Sequence, residues 1–142
     1  MVGGQQIDLM SEGRGIDLST LRKMDEYKTG ALISAAVQMG CLLAGASGEQ
    51  MEAAGRYALA LGVSFQIVDD ILDVTSTEEE LGKPVRSDSE RDKNTYVSLM
   101  GLEEARQEAE RLTEKAMEEL ELFGESAEFL RHLTRELCIR KK

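Results

Sequence analysis

Three aspartates interrupt an otherwise apolar stretch, residues 64–74, whose sequence is SFQIVDDILDV. Asp69 and Asp73 are four residues apart, so on a helix they share a face, and Gln66 lies about one turn earlier on the same side. Like charges at this spacing repel each other, and burying them would cost more free energy still. Carboxylate oxygens suit a hard cation such as Mg²⁺, which often also binds substrate phosphate. Asp69, Asp70 and Asp73 are therefore candidate metal ligands.

A phosphate-bearing substrate would need positive charge beside such a metal, and three lysines stand at predicted breaks or loops. They are Lys28 in YKTG, Lys83 in LGKP and Lys93 in RDKNT. Thr29 and Gln66 add neutral hydrogen-bonding groups. If these side chains converge, they form a metal-bridged diphosphate site.

Each signal also has an ordinary structural explanation. A D-D-x-x-D pattern alone is typical of a solvated acidic face, although the apolar neighbours here leave little other polar surface for water. An EF-hand is excluded for residues 69–80, because Ile71 and Val74 stand where a ligand and a glycine are required. His132, the only histidine, lies beside leucines, which favours packing or a surface contact over catalysis. A serine or cysteine nucleophile would have no base to support it.

The elements that must position these residues are helical throughout, with one irregular segment at residues 77–93, which holds the only proline. Gly13 and Gly15 predict a break, and Gly30 predicts a kink. The predicted helical stretches are residues 3–15, 18–45, 47–76, 94–101, 102–124 and 126 onward.

Small polar residues mark the helix starts. The second helix is predicted to begin at a Ser19 or Thr20 cap, the third at Ser47 and the last at Ser126. The inward positions predicted on the second helix are Leu21, Met24, Leu32, Ala36, Met39 and Leu43, and those on the last helix are Phe129, Leu133 and Leu137.

Composition bounds the class of protein. The chain has 142 residues, 42% of them hydrophobic and 31% charged, which is typical of one helix-rich domain. A net charge of −10 argues against nucleic-acid partners and anionic membrane surfaces. Cys41 and Cys138 lack metal-binding spacing and indicate a reduced, intracellular chain. No apolar run is long enough to span a membrane and no signal segment is evident, so we expect a cytoplasmic protein.

The motifs GGQQIDL, YKTGAL, FQIVDDILD and LGKPVRSDSERDKNTYVSLMG, in this order and spacing, resemble the C-terminal half of the short-chain trans-isoprenyl (polyprenyl) diphosphate synthases. The chain looks closest to bacterial farnesyl diphosphate synthases (geranyltranstransferases), with geranylgeranyl diphosphate synthases next. The resemblance implies an all-α fold, with residues 1–142 as one partial domain, the C-terminal half of an isoprenoid-synthase helical bundle. It also implies a homodimer with its cavity between the helices.

The resemblance also assigns roles to particular residues. The residues that match the family's ligands for two or three Mg²⁺ ions are Asp69, Asp70 and Asp73. The residues that match its diphosphate-binding positions are Lys28, Lys83, Lys93 and Gln5. The residues that match positions lining the reacting centre are Lys28, Thr29, Gln66 and Gln5. The terminal RKK, residues 140–142, resembles a basic end that folds over isopentenyl diphosphate, although cations at a helix C-terminus also serve the dipole alone.

The implied reaction is Mg²⁺-dependent 1′-4 condensation of an allylic diphosphate with isopentenyl diphosphate. The first aspartate-rich motif of the family and its upstream basic residues do not occur in these 142 residues. We therefore expect a fragment of a longer protein, inactive alone, with the residues that set product length upstream beside the missing motif. The alternative is a non-catalytic helical module for dimerisation or for binding Mg²⁺ and diphosphate.

Overall fold

The computed structural model describes residues 1–76 and 94–138, and every regular element within them is helical, which confirms the all-α prediction. None of the helices in these two ranges is long and apolar enough to cross a membrane. The elements are α1 (Val2–Ser11), α2 (Leu18–Asp25), a π-helical turn (Glu26–Gly30), α3 (Ala31–Leu43), α4 (Gly48–Thr75), α5 (Tyr96–Met100), α6 (Leu102–Glu119), a 3-10 segment (Glu121–Ala127) and α7 (Glu128–Cys138).

Helix α4 is the centre of the fold and packs mainly against α6 and α3. It begins where the sequence predicts, because Ser47 and Gln50 form a capping box. The Ser47 hydroxyl accepts the Gln50 amide N–H at 3.2 Å, and the Gln50 side chain accepts the Ser47 amide N–H at 2.9 Å. The two exchanged bonds satisfy amide groups that the first turn of a helix leaves open.

The core is divided into two clusters along α4. Buried polar contacts also join α4 to two neighbouring helices. The Ser64 hydroxyl donates to the Ala109 carbonyl of α6, and the Tyr57 hydroxyl lies 3.1 Å from the Thr134 hydroxyl of α7. The first cluster contains Leu21, Met24, Val63, Ile67, Val68, Leu72, Tyr96, Ala105, Ala109 and Leu112, and the second contains Tyr57, Ala58, Ala60, Leu61, Ala116, Leu120 and Ala127.

The predicted cap of the second helix is wrong. Helix α2 begins at Leu18, and its cap is Asp17, whose carboxylate accepts the Thr20 amide N–H at 2.7 Å. This backbone hydrogen bond lowers the pKa of Asp17, because it favours the charged carboxylate. Ser19 instead donates its hydroxyl to the same carboxylate.

The predicted inward face of the second helix is right before the π-turn and wrong after it. Leu21 and Met24 are buried, but Leu32, Ala36, Met39 and Leu43 are exposed, with Leu43 at 90%. Helix α3 contacts the second cluster through Ile33 and Val37 instead. The π-turn adds one residue to the helical path. A prediction that assumes 3.6 residues per turn throughout therefore places each inward-facing position of α3 one residue too early. Gly30, where the sequence predicts a kink, is the last residue of this turn.

The last helix also departs from its prediction. Ser126 donates to the Phe123 carbonyl within the 3-10 segment, and α7 begins only at Glu128. Phe129, predicted to face inward, is 71% exposed, whereas Thr134 is buried. The backbone leaves the helical conformation at Gly124, where φ is 56°. The helical spacing before Gly124 therefore does not predict which residues of α7 face inward. The loop predicted at residues 77–93 lies outside the described residues.

Candidate active site

Lys28 and Thr29 lie on the π-turn between α2 and α3. The Ala31 amide N–H donates to the Glu26 carbonyl, five residues back, which is the hydrogen bond that defines such a turn. Turns of this kind insert one residue into a helix and are frequent at functional sites. Here the turn presents its two polar residues to different neighbours, Lys28 to α1 and Thr29 to α4.

Helix α4 holds the π-turn through a hydrogen bond and a close backbone contact. The Thr29 hydroxyl donates to the Gln66 side-chain oxygen at 3.0 Å. One turn before Gln66, a Cβ at Gly62 would lie 2.8 Å from the Gly30 Cα, closer than real Cβ contacts come. The absence of a side chain at Gly62 therefore allows this approach and brings Gln66 within reach of Thr29.

Helix α1 holds the same turn from another side. A Cβ at Gly4 would lie 2.7 Å from both Cα and Cβ of Lys28, so only glycine fits there. Four residues later, Asp8 accepts a hydrogen bond from the Lys28 ammonium at 2.6 Å. The side chains of Lys28 and Asp8 are 38% and 28% exposed. Asp8 lies within the GGQQIDL motif, four residues after Gly4, but nothing in the sequence indicated that it would contact Lys28.

The three candidate metal ligands lie near the end of α4. Asp69 and Asp70 are half-buried and Asp73 is buried. Asp70 accepts the amide N–H of Tyr96, the first residue of α5, at 2.8 Å. Because Gln66 lies one turn before this group, its bond to the π-turn connects the lysine segment with the aspartate segment.

The donor chemistry of this group fits a hard cation. Within residues 1–76 and 94–138, no three acidic, histidine or cysteine side chains are grouped as a ready metal site. Mg²⁺ is commonly bound by only one or two protein carboxylates and completes its octahedral shell with water and substrate phosphate. Carboxylate oxygens on one helix face are consistent with that partial ligation, so Asp69, Asp70 and Asp73 stay predicted ligands.

A buried carboxyl and a buried phenol lie beside the site. Asp25, only 4% exposed, immediately precedes the π-turn, and Tyr96 packs in the first core cluster. Burial raises the pKa of Asp25 to about 6, although the Tyr96 hydroxyl and the Lys28 charge favour its ionised form. Burial also raises the pKa of Tyr96, whose hydroxyl lies beside the Asp25 carboxyl but makes no well-formed hydrogen bond within the described part of the chain. No sequence pattern indicated this pair.

Other predicted site residues are not brought into these contacts. Gln5 lies on α1 beside Gly4 with its side chain exposed. Lys83, Lys93 and residues 140–142 lie outside the described residues. His132, for which the sequence favours packing or a surface contact over catalysis, is exposed on α7.

The sequence is similar to known proteins over most of its length. Residues 1–131 match the family model described as Polyprenyl synthetase. A geranylgeranyl diphosphate synthase of Cyanophora paradoxa is 49% identical over 128 residues, and the farnesyl diphosphate synthase of Escherichia coli is 41% identical over 128 residues. Both alignments cover 89% of this chain and 43% of the relative. The chain thus spans less than half the length of these curated relatives.

Solved structures share the fold. A geranyltransferase from Helicobacter pylori, complexed with magnesium and isoprenyl diphosphate, superposes with a TM-score of 0.78 at 35% identity, covering 96% of this chain and 45% of that one. An FPP/GFPP synthase from Zymomonas mobilis gives a TM-score of 0.82 at 32% identity, with coverage of 96% and 45%.

Proposed function

This chain belongs to the polyprenyl synthetase family, and we propose that it supplies the allylic-diphosphate side of a short-chain isoprenyl diphosphate synthase site. The observation that carries the proposal is the Thr29–Gln66 hydrogen bond, which ties the turn bearing Lys28 to the helix bearing the aspartates. Positive charge and carboxylate oxygens on two joined elements are what a metal-bridged diphosphate requires.

In the proposed reaction, the bond between the allylic carbon and its diphosphate oxygen breaks, and the electron pair leaves with the diphosphate. The double bond of isopentenyl diphosphate then attacks the allylic carbon, and a proton is lost. Lys28 acts on the leaving group, because its ammonium stabilises the negative charge that grows on the diphosphate oxygens. The Lys28 side chain is 38% exposed, so a ligand in solution can reach its ammonium.

Thr29 and Gln66 act on the other end of the breaking bond. The Thr29 hydroxyl commits its proton to the Gln66 oxygen, so the lone pairs of the threonine oxygen remain available. Two adjacent, mutually oriented oxygens create a negative potential that stabilises positive charge developing on an allylic carbon. Their orientation is fixed before the reaction, so it costs no reorganisation during it.

The proposed Mg²⁺ ligands are Asp69, Asp70 and Asp73, and the bound metal supplies further positive charge to the leaving diphosphate. Asp70 already accepts the Tyr96 amide through one oxygen. Because Asp69 and Asp73, at i and i+4, share one face of α4, they are the pair whose joint loss we expect to weaken binding most.

Isothermal titration with inorganic pyrophosphate, with and without Mg²⁺, tests the metal assignment. In the double variant Asp69→Asn, Asp73→Asn we expect the Mg²⁺-dependent affinity to fall at least about tenfold, because each charge-assisted contact contributes more than 1 kcal/mol. The control is Glu110→Gln with Glu114→Gln, which removes two exposed carboxylates at the same spacing on α6. Equal affinity in the wild-type chain and the aspartate variant would refute the assignment.

A second candidate function, a non-catalytic module for dimerisation or for binding Mg²⁺ and diphosphate, is favoured by the surface of α3. This helix has no fully buried residue, and Leu32, Met39, Leu42 and Leu43 are exposed. Exposed apolar faces of this kind mark association sites, so we propose self-association through α3. Sedimentation should show an oligomer that Met39→Glu with Leu43→Glu dissociates, whereas Leu122→Glu, on another exposed leucine, should leave it intact.

Turnover tests whether this chain is catalytic by itself. We propose that turnover needs a first aspartate-rich motif, which these 142 residues lack. The purified chain incubated with geranyl and isopentenyl diphosphates and Mg²⁺ should therefore give no farnesyl product. Robust product from this chain alone would contradict that requirement and favour a complete catalytic site within it.

A further inference from the structure

Resting on the proposed function, we propose that Asp8 is a positioning residue that holds the Lys28 ammonium in place before a diphosphate binds. Asp8 belongs to the GGQQIDL motif, but the resemblance assigned a role there only to Gln5. Its carboxylate meets the Lys28 ammonium at 2.6 Å, between residues twenty positions apart. The pair joins α1 to the π-turn, so its geometry depends on how these two elements pack.

Helix α1 contacts Lys28 at both ends of the lysine residue. Gly4 and Asp8 are four apart and so lie on one face of α1. Gly4 packs against the Lys28 backbone and Cβ, where no side chain would fit, and Asp8 receives the ammonium at the far end. With its base and tip both held, the four-carbon side chain keeps few of its rotamers.

The ion pair leaves the ammonium able to bind an anion. A lysine ammonium has three N–H donors, and the contact with Asp8 uses one of them. The side chain remains 38% exposed. A long side chain loses rotamer entropy when a ligand immobilises it, and a residue already immobilised loses less. Asp8 therefore favours diphosphate binding even though its charge alone would repel the ligand.

The opposite role would be competition. In that case the Asp8 carboxylate stays bound to the Lys28 ammonium until the diphosphate displaces it, and removing Asp8 would raise the affinity for diphosphate. The two roles predict opposite changes in affinity, so one variant distinguishes them. Asp8→Asn removes the charge and keeps the shape, and Asp8→Glu keeps the charge. The control is Glu12→Gln, an exposed acid one turn further along the chain, which reproduces the change in net charge.

The first measurement is the rate at which acetic anhydride acetylates Lys28, followed by mass spectrometry with exposed Lys115 as internal reference. We expect Asp8→Asn to raise the rate at Lys28 severalfold, because loss of the contact with Asp8 releases the Lys28 nitrogen and makes it more accessible to the reagent, while Asp8→Glu and Glu12→Gln leave the rate near the wild-type value. An unchanged rate in Asp8→Asn would show that the pair does not hold Lys28 in solution and would overturn the inference.

The second measurement is the affinity for pyrophosphate with Mg²⁺. We expect Asp8→Asn to weaken it about fivefold, the loss expected from one newly mobile lysine side chain, and Asp8→Glu to recover part of that loss. Affinity that is unchanged or tighter in Asp8→Asn, beyond the change in Glu12→Gln, would overturn positioning and, if tighter, establish competition. A wild-type chain that binds no pyrophosphate would instead refute the proposed function itself.

Discussion

Two helices hold the π-turn by the same device. On α1, Gly4 packs against the backbone of the turn and Asp8, four residues later, binds one of its side chains. On α4, Gly62 packs against the backbone and Gln66, again four residues later, binds another side chain. Each helix thus combines a close backbone approach with one polar contact on the same face.

The surroundings of the two contacts differ. Gly62 lies in a 28-residue helix that carries much of the core, and its polar contact is neutral. Gly4 lies near the start of a ten-residue helix with little buried surface, and its polar contact is an ion pair. We infer that α4 fixes the position of the π-turn and that α1, through Asp8, sets the position of the Lys28 ammonium on that turn.

The largest expected effect is on the α4 side. Gly62→Ala should lower the free energy of unfolding by about 3 kcal/mol, since the new methyl group meets the Gly30 backbone between two helices that cannot separate without opening the core. Urea denaturation measures the change. Gly40→Ala is the control, because nothing lies within 4 Å of its added methyl, and it should stabilise α3 by about 0.5–1 kcal/mol. A neutral Gly62→Ala would contradict a fixed α4 frame.

The interior charge beside the turn should give the next largest effect. Because burial raises the pKa of Asp25 to about 6, its ionisation opposes folding: the native state is favoured fully below pH 4 and progressively less as pH rises through 6. Asparagine cannot ionise, so Asp25→Asn should raise the free energy of unfolding at pH 8 by roughly 2–3 kcal/mol.

That gain should disappear below about pH 4, where the Asp25 carboxyl is protonated in both the folded and the unfolded chain. Urea denaturation of both chains between pH 3.5 and pH 8 measures it. Asp17→Asn is the matched control, because an exposed cap carboxylate with a lowered pKa should show the opposite trend with pH. A stability difference between Asp25→Asn and the wild-type chain that does not vary with pH would contradict the claim that burial raises the pKa of Asp25.

The smallest effect should be on the α1 side. Gly4→Ala also places a methyl group against the turn, but α1 is short and can shift outward, so we expect a loss of about 1–2 kcal/mol. Gly3→Ala, one residue earlier with open space around its Cβ, should be neutral or stabilising. If Gly4→Ala cost as much as Gly62→Ala, the distinction between a fixed and an adjustable side would fail.

The sequence predicts the parts of this arrangement that depend on local pattern. The start of α4 follows from the capping types of Ser47 and Gln50, and the shared face of Asp69 and Asp73 follows from helical periodicity.

The remaining parts depend on packing that no local pattern encodes. The hydrogen bond from Ala31 to Glu26 adds a residue to the helix without a distinctive residue type, so the exposure of Leu32 and Leu43 could not be predicted. The pair of Asp8 with Lys28 joins residues twenty apart, and its existence depends on how α1 docks.

The central claim is that the Lys28 turn and the aspartates of α4 bind one diphosphate. Nuclear magnetic resonance of the labelled chain, titrated with pyrophosphate in the presence of Mg²⁺, tests it directly. We predict that the amide signals of Thr29 and Asp69 shift along one binding curve as pyrophosphate is added, while those of Glu110 and Glu114 do not move. Shifts at Asp69 without Thr29, or equally at the exposed α6 acids, would contradict a shared site.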